Sequence, residues 1–271
     1  MKIGCCLPGD FRAPGYEGET TIVTALEQGY QFLLACGYDY LEFHVGGIVG
    51  MTEEEFAAAV ELDQQGKLTI EACNCFVPAS LPLIGPDRDP FAIREYLEKA
   101  LNRMAKLGVE VVVFGSGGAR RVPRMTCMRN AWEQLDWFMT TAEEIARSVG
   151  ITVVIEPLNR GETNVIFTVQ EGLEIAKRLD LPNLKVLADV FHMYLEDESL
   201  DVIGACGDML RHVHISDPVK RTPPEDCEYL RETADALRKA GYTGRVSIEA
   251  GFSDFVSQVQ QAQPLMRELF G

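Results

Sequence analysis

Residues Ile151 to Glu162 read ITVVIEPLNRGE. Ile151, Val153, Val154 and Ile155 form an almost unbroken apolar run, the pattern of a strand covered on both faces in a parallel sheet. The run ends on an acid, Glu156, and Pro157 follows at once. Proline has no N–H to give to a ladder, so the strand is expected to stop there. A carboxylate at the end of a buried strand is costly unless it is paired, protonated or bound to a metal. Glu156 therefore has two readings. In the plainer one it is a strand-end acid salt-bridged to Arg160. In the other it is a functional group at the mouth of a sheet. Recurrence of the pattern three more times downstream favours the second.

Outward from this stretch, strand and helix patterns alternate along the whole chain. Further strands are expected at Lys2–Cys6, Tyr38–His44, Leu68–Phe76, Val109–Phe114, Leu184–Asp189, Arg211–Ser216 and Arg245–Glu249. Between them lie segments with apolar residues at helical spacing, several opened by readable caps. Thr52 with Glu55 is a capping box, Asp89-Pro90 an N-cap followed by proline at the first helical position, and Thr168 with Glu171 another start. Alternation of this kind implies right-handed crossovers and a parallel sheet. Eight units in 271 residues predict an α/β fold, a single-domain (β/α)8 TIM barrel over residues 1–271, which typically needs ~250 residues. The rival, an open doubly wound sheet, lacks its dinucleotide fingerprint. The one glycine-rich loop, GSGGARR from Gly115 to Arg121, matches neither GxGxxG nor a Walker loop. Its arginines have two readings, a clamp for a substrate carboxylate or phosphate and, slightly favoured, a solvated loop with ion pairs.

Composition removes several classes of function. The formal net charge is −16, and Arg120, Arg121 and Arg124 are the densest basic cluster, so nucleic acid is not expected as a partner. No apolar run approaches the ~20 residues needed to span a bilayer, and MKIGCCLPGD is neither signal peptide nor anchor. The eight cysteines form no CxxC pair. They are read as reduced thiols of a cytoplasmic protein. Cys73 and Cys75, two apart on a strand, are expected to share a face.

In a parallel barrel the C-terminal strand ends converge on one face. Here the last four strands end in Glu156, in Asp189, in a segment carrying His212 and His214, and in Glu249. Three carboxylates and one imidazole suit a single divalent ion of the Mn²⁺, Mg²⁺ or Co²⁺ kind better than a structural zinc. His214, nearer the strand end, is the expected ligand. His212 is expected to be a buried second-layer or packing residue. The competing reading makes each acid a rim ion pair and each histidine a core residue.

The set EPLNRxE, DxFHM, HxH and SxE, in that order between Glu156 and Glu249, resembles the xylose-isomerase-like sugar isomerase/epimerase superfamily, nearest to its D-tagatose/D-psicose 3-epimerases. The resemblance implies that Glu156, Asp189, His214 and Glu249 bind the metal, with Glu162 and His192 contacting the substrate's end hydroxyl. That family also uses an arginine six residues after the metal histidine; here Lys220 occupies that position and Arg221 follows, so both are carried as substrate-binding residues. The resemblance further implies a homo-oligomer.

These residue types define a mechanism. A metal that chelates a carbonyl and its neighbouring hydroxyl favours an enediolate, while Glu156 and Glu249, on strands three apart around the ring, take and return a proton. The expected function is a metal-dependent isomerase or epimerase acting on a small sugar. Three other readings are a lyase acting on a keto-sugar or keto-inositol, an AP endonuclease, and a non-catalytic sugar-binding subunit. The endonuclease needs more histidines than the chain's four. A pure binder has no use for paired proton-transfer groups.

Overall fold

The computed structural model describes every residue from Met1 to Gly271. Eight strands close into one parallel barrel: β1 (Lys2–Cys6), β2 (Tyr40–His44), β3 (Ile70–Asn74), β4 (Val111–Phe114), β5 (Thr152–Ile155), β6 (Leu184–Asp189), β7 (Leu210–Ile215) and β8 (Arg245–Ile248). Each strand pairs with the next in sequence, and β8 returns to β1 through Lys2–Arg245 to Cys5–Ile248. The expected fold class is therefore the observed one. Nine α-helices lie between the strands and a tenth follows β8: α1 (Ile22–Cys36), α2 (Val45–Gly50), α3 (Glu53–Gln64), α4 (Pro90–Lys106), α5 (Met128–Ser148), α6 (Val169–Leu179), α7 (Val190–Leu195), α8 (Asp201–Cys206), α9 (Glu228–Lys239) and α10 (Phe255–Phe270). None is long and apolar enough to cross a membrane.

Local signals set most helix boundaries. Thr52 and Glu55 exchange the two bonds of a capping box at the start of α3. Asp89 accepts from the N–H groups of Phe91 and Ala92, ahead of α4. Two helices were not expected from the pattern. The short α2 and α7 start directly from the ends of β2 and β6, with His44 and Asp189 as their N-caps. In each, a residue that ends a strand also opens a helix, so no loop composition announces the change.

The core has two compartments. The outer one, between strands and helices, gathers 71 buried apolar residues. Phe138 of α5 shows how it is built: its ring lies 4.7 Å from that of Phe114 and 6.1 Å from that of Phe76. Truncating such a buried ring to alanine costs about 3–5 kcal/mol. The inner compartment holds Tyr40, Ala72, Val111, Val113, Val154 and Leu187. Side chains alternate along a strand, so the next inward positions on β2, β3, β5 and β6 are Glu42, Asn74, Glu156 and Asp189. The barrel interior thus turns from apolar to polar within two residues, toward the C-terminal strand ends.

Candidate metal centre

Glu156, Asp189, His214 and Glu249 come together at that polar end. One ligand atom from each lies within 4.8 Å of all the others. The backbone explains their positions. The Glu156 N–H still donates to the Phe114 carbonyl at 3.1 Å, and the Glu249 N–H to that of Ile215 at 3.1 Å, so each acid extends its strand by one residue. Pro157 ends β5 as expected. Asp189 is the last residue of β6, and its Oδ1 accepts from the Phe191 N–H at 2.8 Å. A Cβ at residue 115 would stand 2.0 Å from Glu156 Oε2. Glycine there leaves room for the carboxylate.

All three carboxylates face one ring nitrogen. His214 Nδ1 lies 3.2 Å from Glu156 Oε1, 3.3 Å from Glu249 Oε2 and 4.0 Å from Asp189 Oδ2. Crowding divides their acidities. Burial, and then the Glu249 and Glu156 charges, push the Asp189 carboxyl up to about 8. Burial and the Glu249 charge also raise Glu156. Burial raises Glu249 too, but His214 and Arg221 outweigh it and hold that carboxyl at about 2. Asp189 Oδ2 is buried and has no hydrogen-bond partner. Three hard oxygens, one of them the orphaned Asp189 Oδ2, and an imidazole nitrogen suit a divalent cation. The residues fit the ion implied by the sequence.

Arg160 does not pair with Glu156. Its guanidinium pairs with Glu196 and lies 4.3 Å from the centroid of the Phe167 ring. The plainer reading of Glu156 is thereby excluded. Within the same segment, Asn159 approaches His192 Nδ1 with its backbone N–H at 3.2 Å and its amide nitrogen at 2.8 Å. Two donors on Nδ1 place the ring proton on Nε2. That nitrogen is buried and unpartnered, 3.8 Å from Asp189 Oδ2. Burial and then Arg221 push the imidazole down to about 3, so it is neutral.

Arg221 bridges the site, donating to Glu162 Oε1 at 2.8 Å and to Glu249 Oε2 at 2.9 Å. Lys220 is exposed and does not line the cavity. The reason is local. Arg221 adopts a left-handed backbone, φ +54°, pinned by its N–H on the Asp217 carbonyl and by the Gly251 N–H on its own carbonyl. That twist turns residue 221, rather than 220, into the barrel mouth.

The cavity over these groups has a volume of about 460 Å³, and His44, Cys75, Glu156, Glu162, Arg221 and Glu249 line it. This is within the usual range for a small-molecule site. A second hollow of about 480 Å³ lies at the opposite barrel end, beside Glu110, Arg211 and Arg245. None of the four clustered residues lines it. Cys75 sits beyond β3 at φ +52°, exposed, whereas Cys73 is buried in the core. The two do not share a face, because the strand ends between them. Arg120 is neither a substrate clamp nor part of a solvated loop. It is fully buried, with its guanidinium on the carbonyls of Phe114 at 3.1 Å and Ile166 at 3.5 Å. Arg121 donates to the Glu162 carbonyl.

Sequence reasoning left out four residues of the site. Asn74 donates to Glu249 Oε1 at 2.9 Å, and Asn159 orients His192. His44 accepts the Gly47 N–H on Nδ1 at 2.8 Å, which leaves its Nε2–H free. Glu42 lies beneath His214, with Oε1 3.0 Å from its Nε2. Strand parity alone would have flagged Glu42 and Asn74, each two residues past an inward apolar position.

A closed eight-stranded barrel with acids and an imidazole at its C-terminal strand ends defines the class, and residues 30–269 match a family model: the chain belongs to the Xylose isomerase-like TIM barrel family. Among its relatives is a D-psicose 3-epimerase of Agrobacterium fabrum, 37% identical over 107 residues. That alignment spans 39% of this chain and only 37% of the relative's length. A second, from Ruminiclostridium cellulolyticum, is 33% identical over 119 residues, spanning 44% of this chain and 41% of the relative. The fold matches the crystal structure of D-allulose 3-epimerase from Methylomonas sp. in complex with D-allulose, with a TM-score of 0.84 and 20% identity over 100% of this chain and 97% of that one.

Proposed function

We propose that residues 1–271 form one catalytic domain, a divalent-metal-dependent sugar epimerase that inverts a carbon next to a ketose carbonyl. The observation that carries this is the pairing of Glu156 and Glu249. They end β5 and β8, and both lie within 3.3 Å of the same His214 nitrogen. They therefore converge on one point from different sides of the barrel. Relatives named as D-psicose 3-epimerases support the substrate class.

Glu156, Asp189, His214 and Glu249 would hold the cation, Mn²⁺, Mg²⁺ or Co²⁺ by the chemistry of the donors, which supplies Lewis acidity to the carbonyl and the neighbouring hydroxyl. One of the two glutamates removes the proton α to the carbonyl, leaving an enediolate of the sugar. The other returns a proton from the opposite face, and inversion results. The reverse reaction exchanges their roles. The His192 Nε2–H donates to a substrate oxygen, and Glu162 with Arg221 receives hydroxyls at the same end. Lys220 stays outside. A lyase would share the first proton transfer but then expel a hydroxide.

The test is elemental analysis of wild type and Glu156→Gln, together with a ketose panel followed by NMR in D₂O. The expected result is one divalent ion per wild-type chain, diminished in the variant, and deuterium at the carbon next to the ketose carbonyl. Folded protein that takes up no Mn²⁺ would sink the metal-dependent reading. Deuterium with loss of water would move it to the lyase.

A further inference from the structure

Glu42 is fully buried inside the barrel, as are His212 and His214. The chemistry proposed above uses neither Glu42 nor His212. An isolated carboxylate in such a place is strongly unfavourable, and this one spends both oxygens on imidazoles. Oε1 is 3.0 Å from His214 Nε2, and Oε2 is 2.8 Å from His212 Nε2. A carboxylate only accepts, so both rings donate from Nε2. His212 Nδ1 is buried without a partner. A bare lone pair there costs less than an orphaned N–H, so His212 is neutral.

We infer that Glu42 is a positioning residue for the metal centre: it holds the His214 Nε2–H, so that Nδ1, which faces Glu156, Asp189 and Glu249, is the nitrogen that yields its proton to a cation. The inference rests on the metal-binding reading of His214. An imidazole without this partner has two ways to fail. It turns over about its Cβ–Cγ bond, or it carries the proton on Nδ1, where a cation needs the lone pair. Carboxylates that orient a ligating histidine in this way also raise its basicity, and their loss typically lowers metal affinity 10–100-fold. His212 completes the arrangement by fixing the second oxygen of Glu42, which leaves the carboxylate no freedom to rotate away. Nothing local in the sequence encodes the contact: Glu42 and His214 are 172 residues apart.

Two measurements test this. In the first, Mn²⁺ is titrated against a fluorescent chelator on wild type, Glu42→Gln and Glu156→Gln, with the melting curve of each metal-free protein recorded. Glu42→Gln is expected to bind one Mn²⁺ about 10–100-fold more weakly than wild type while its metal-free melt stays within a few degrees. Equal affinity in wild type and Glu42→Gln overturns the role of Glu42 and leaves the metal centre standing. Wild type that binds no Mn²⁺ overturns both. The second measurement needs no variant: nitrogen-15 histidine spectra of Zn²⁺-loaded wild type. A His214 that keeps its proton on Nε2 and shifts at Nδ1 on loading supports the inference, even if Glu42→Gln fails to fold. A His214 protonated on Nδ1 overturns it.

Discussion

The two rims of the barrel use the same side chains in opposite ways. At the N-terminal strand ends Glu71, Glu110 and Asp39 each have a base. Lys2 Nζ lies 2.7 Å from Glu71 Oε1, Arg245 Nη2 bridges Glu71 at 2.6 Å and Glu110 at 2.7 Å, and Arg267 Nη2 meets Asp39 Oδ1 at 2.6 Å. At the C-terminal ends Glu156, Asp189 and Glu249 crowd one imidazole, and Arg221 pairs with Glu249. The first rim is neutralised and stitches the barrel shut. The second holds charge that the protein does not neutralise by itself. In barrels of this kind the C-terminal face carries chemistry and the N-terminal face carries stability. Here the charge pairing alone tells the two faces apart.

The contrast is sharpest for activity. Glu249→Gln is expected to lower turnover by about 10²–10⁴-fold, the usual share of a proton-transfer group, with secondary structure unchanged by circular dichroism. Next comes the cation. Mn²⁺ at 100 times its dissociation constant should stabilise the folded protein by about 2.7 kcal/mol, read as a rise in melting temperature that EDTA reverses. The N-terminal rim should respond the other way. Glu71→Gln leaves Lys2 and Arg245 short of a partner and should cost about 1–2 kcal/mol in a urea melt, with kcat within twofold of wild type. An equal loss of turnover in Glu71→Gln and Glu249→Gln would erase the distinction between the rims.

The smallest expected effect is at Asp39. Burial raises its carboxyl, but Arg267 and the Ile3 N–H outweigh that and hold it below its ordinary value. A depressed carboxyl stabilises the fold above its unfolded value, near 4, and loses that contribution as pH falls through the folded value. Asp39→Asn should therefore melt lower than wild type at pH 7, by less than about 1 kcal/mol for so solvated a pair. The gap should narrow as the pH falls below about 4 and through the folded value. A gap that does not narrow with falling pH would mean that the pair does not act through its charge.

Strand ends were the legible part of this chain. An apolar run closed by an acid marks its own position, and Glu156, Asp189 and Glu249 each sit at or one residue past such an end. Contacts made only by closure of the ring were not legible. Glu42 meets His212 and His214 because β2 and β7 face each other across the interior, and no local pattern reports that. Arg120 misled for a related reason: an arginine in a glycine loop implies solvent, and only the tertiary structure shows the carbonyls that receive it. Counting along the sequence could not separate Lys220 from Arg221: the left-handed turn at Arg221 puts that residue in the mouth and leaves Lys220 outside.

Gly115 carries a consequence for how variation in this chain is scored. Its backbone is not in the left-handed region, so alanine would fit the main chain without strain. The added methyl would instead stand 2.0 Å from Glu156 Oε2 and force the carboxylate to shift. A library sorted by expression level or heat resistance is expected to pass that allele, while one sorted by the proposed epimerase activity is expected to discard it. Disagreement between the two sorts at a glycine is thus a way to test whether Glu156 is the reacting group proposed for it, with no ligand bound and no acid touched.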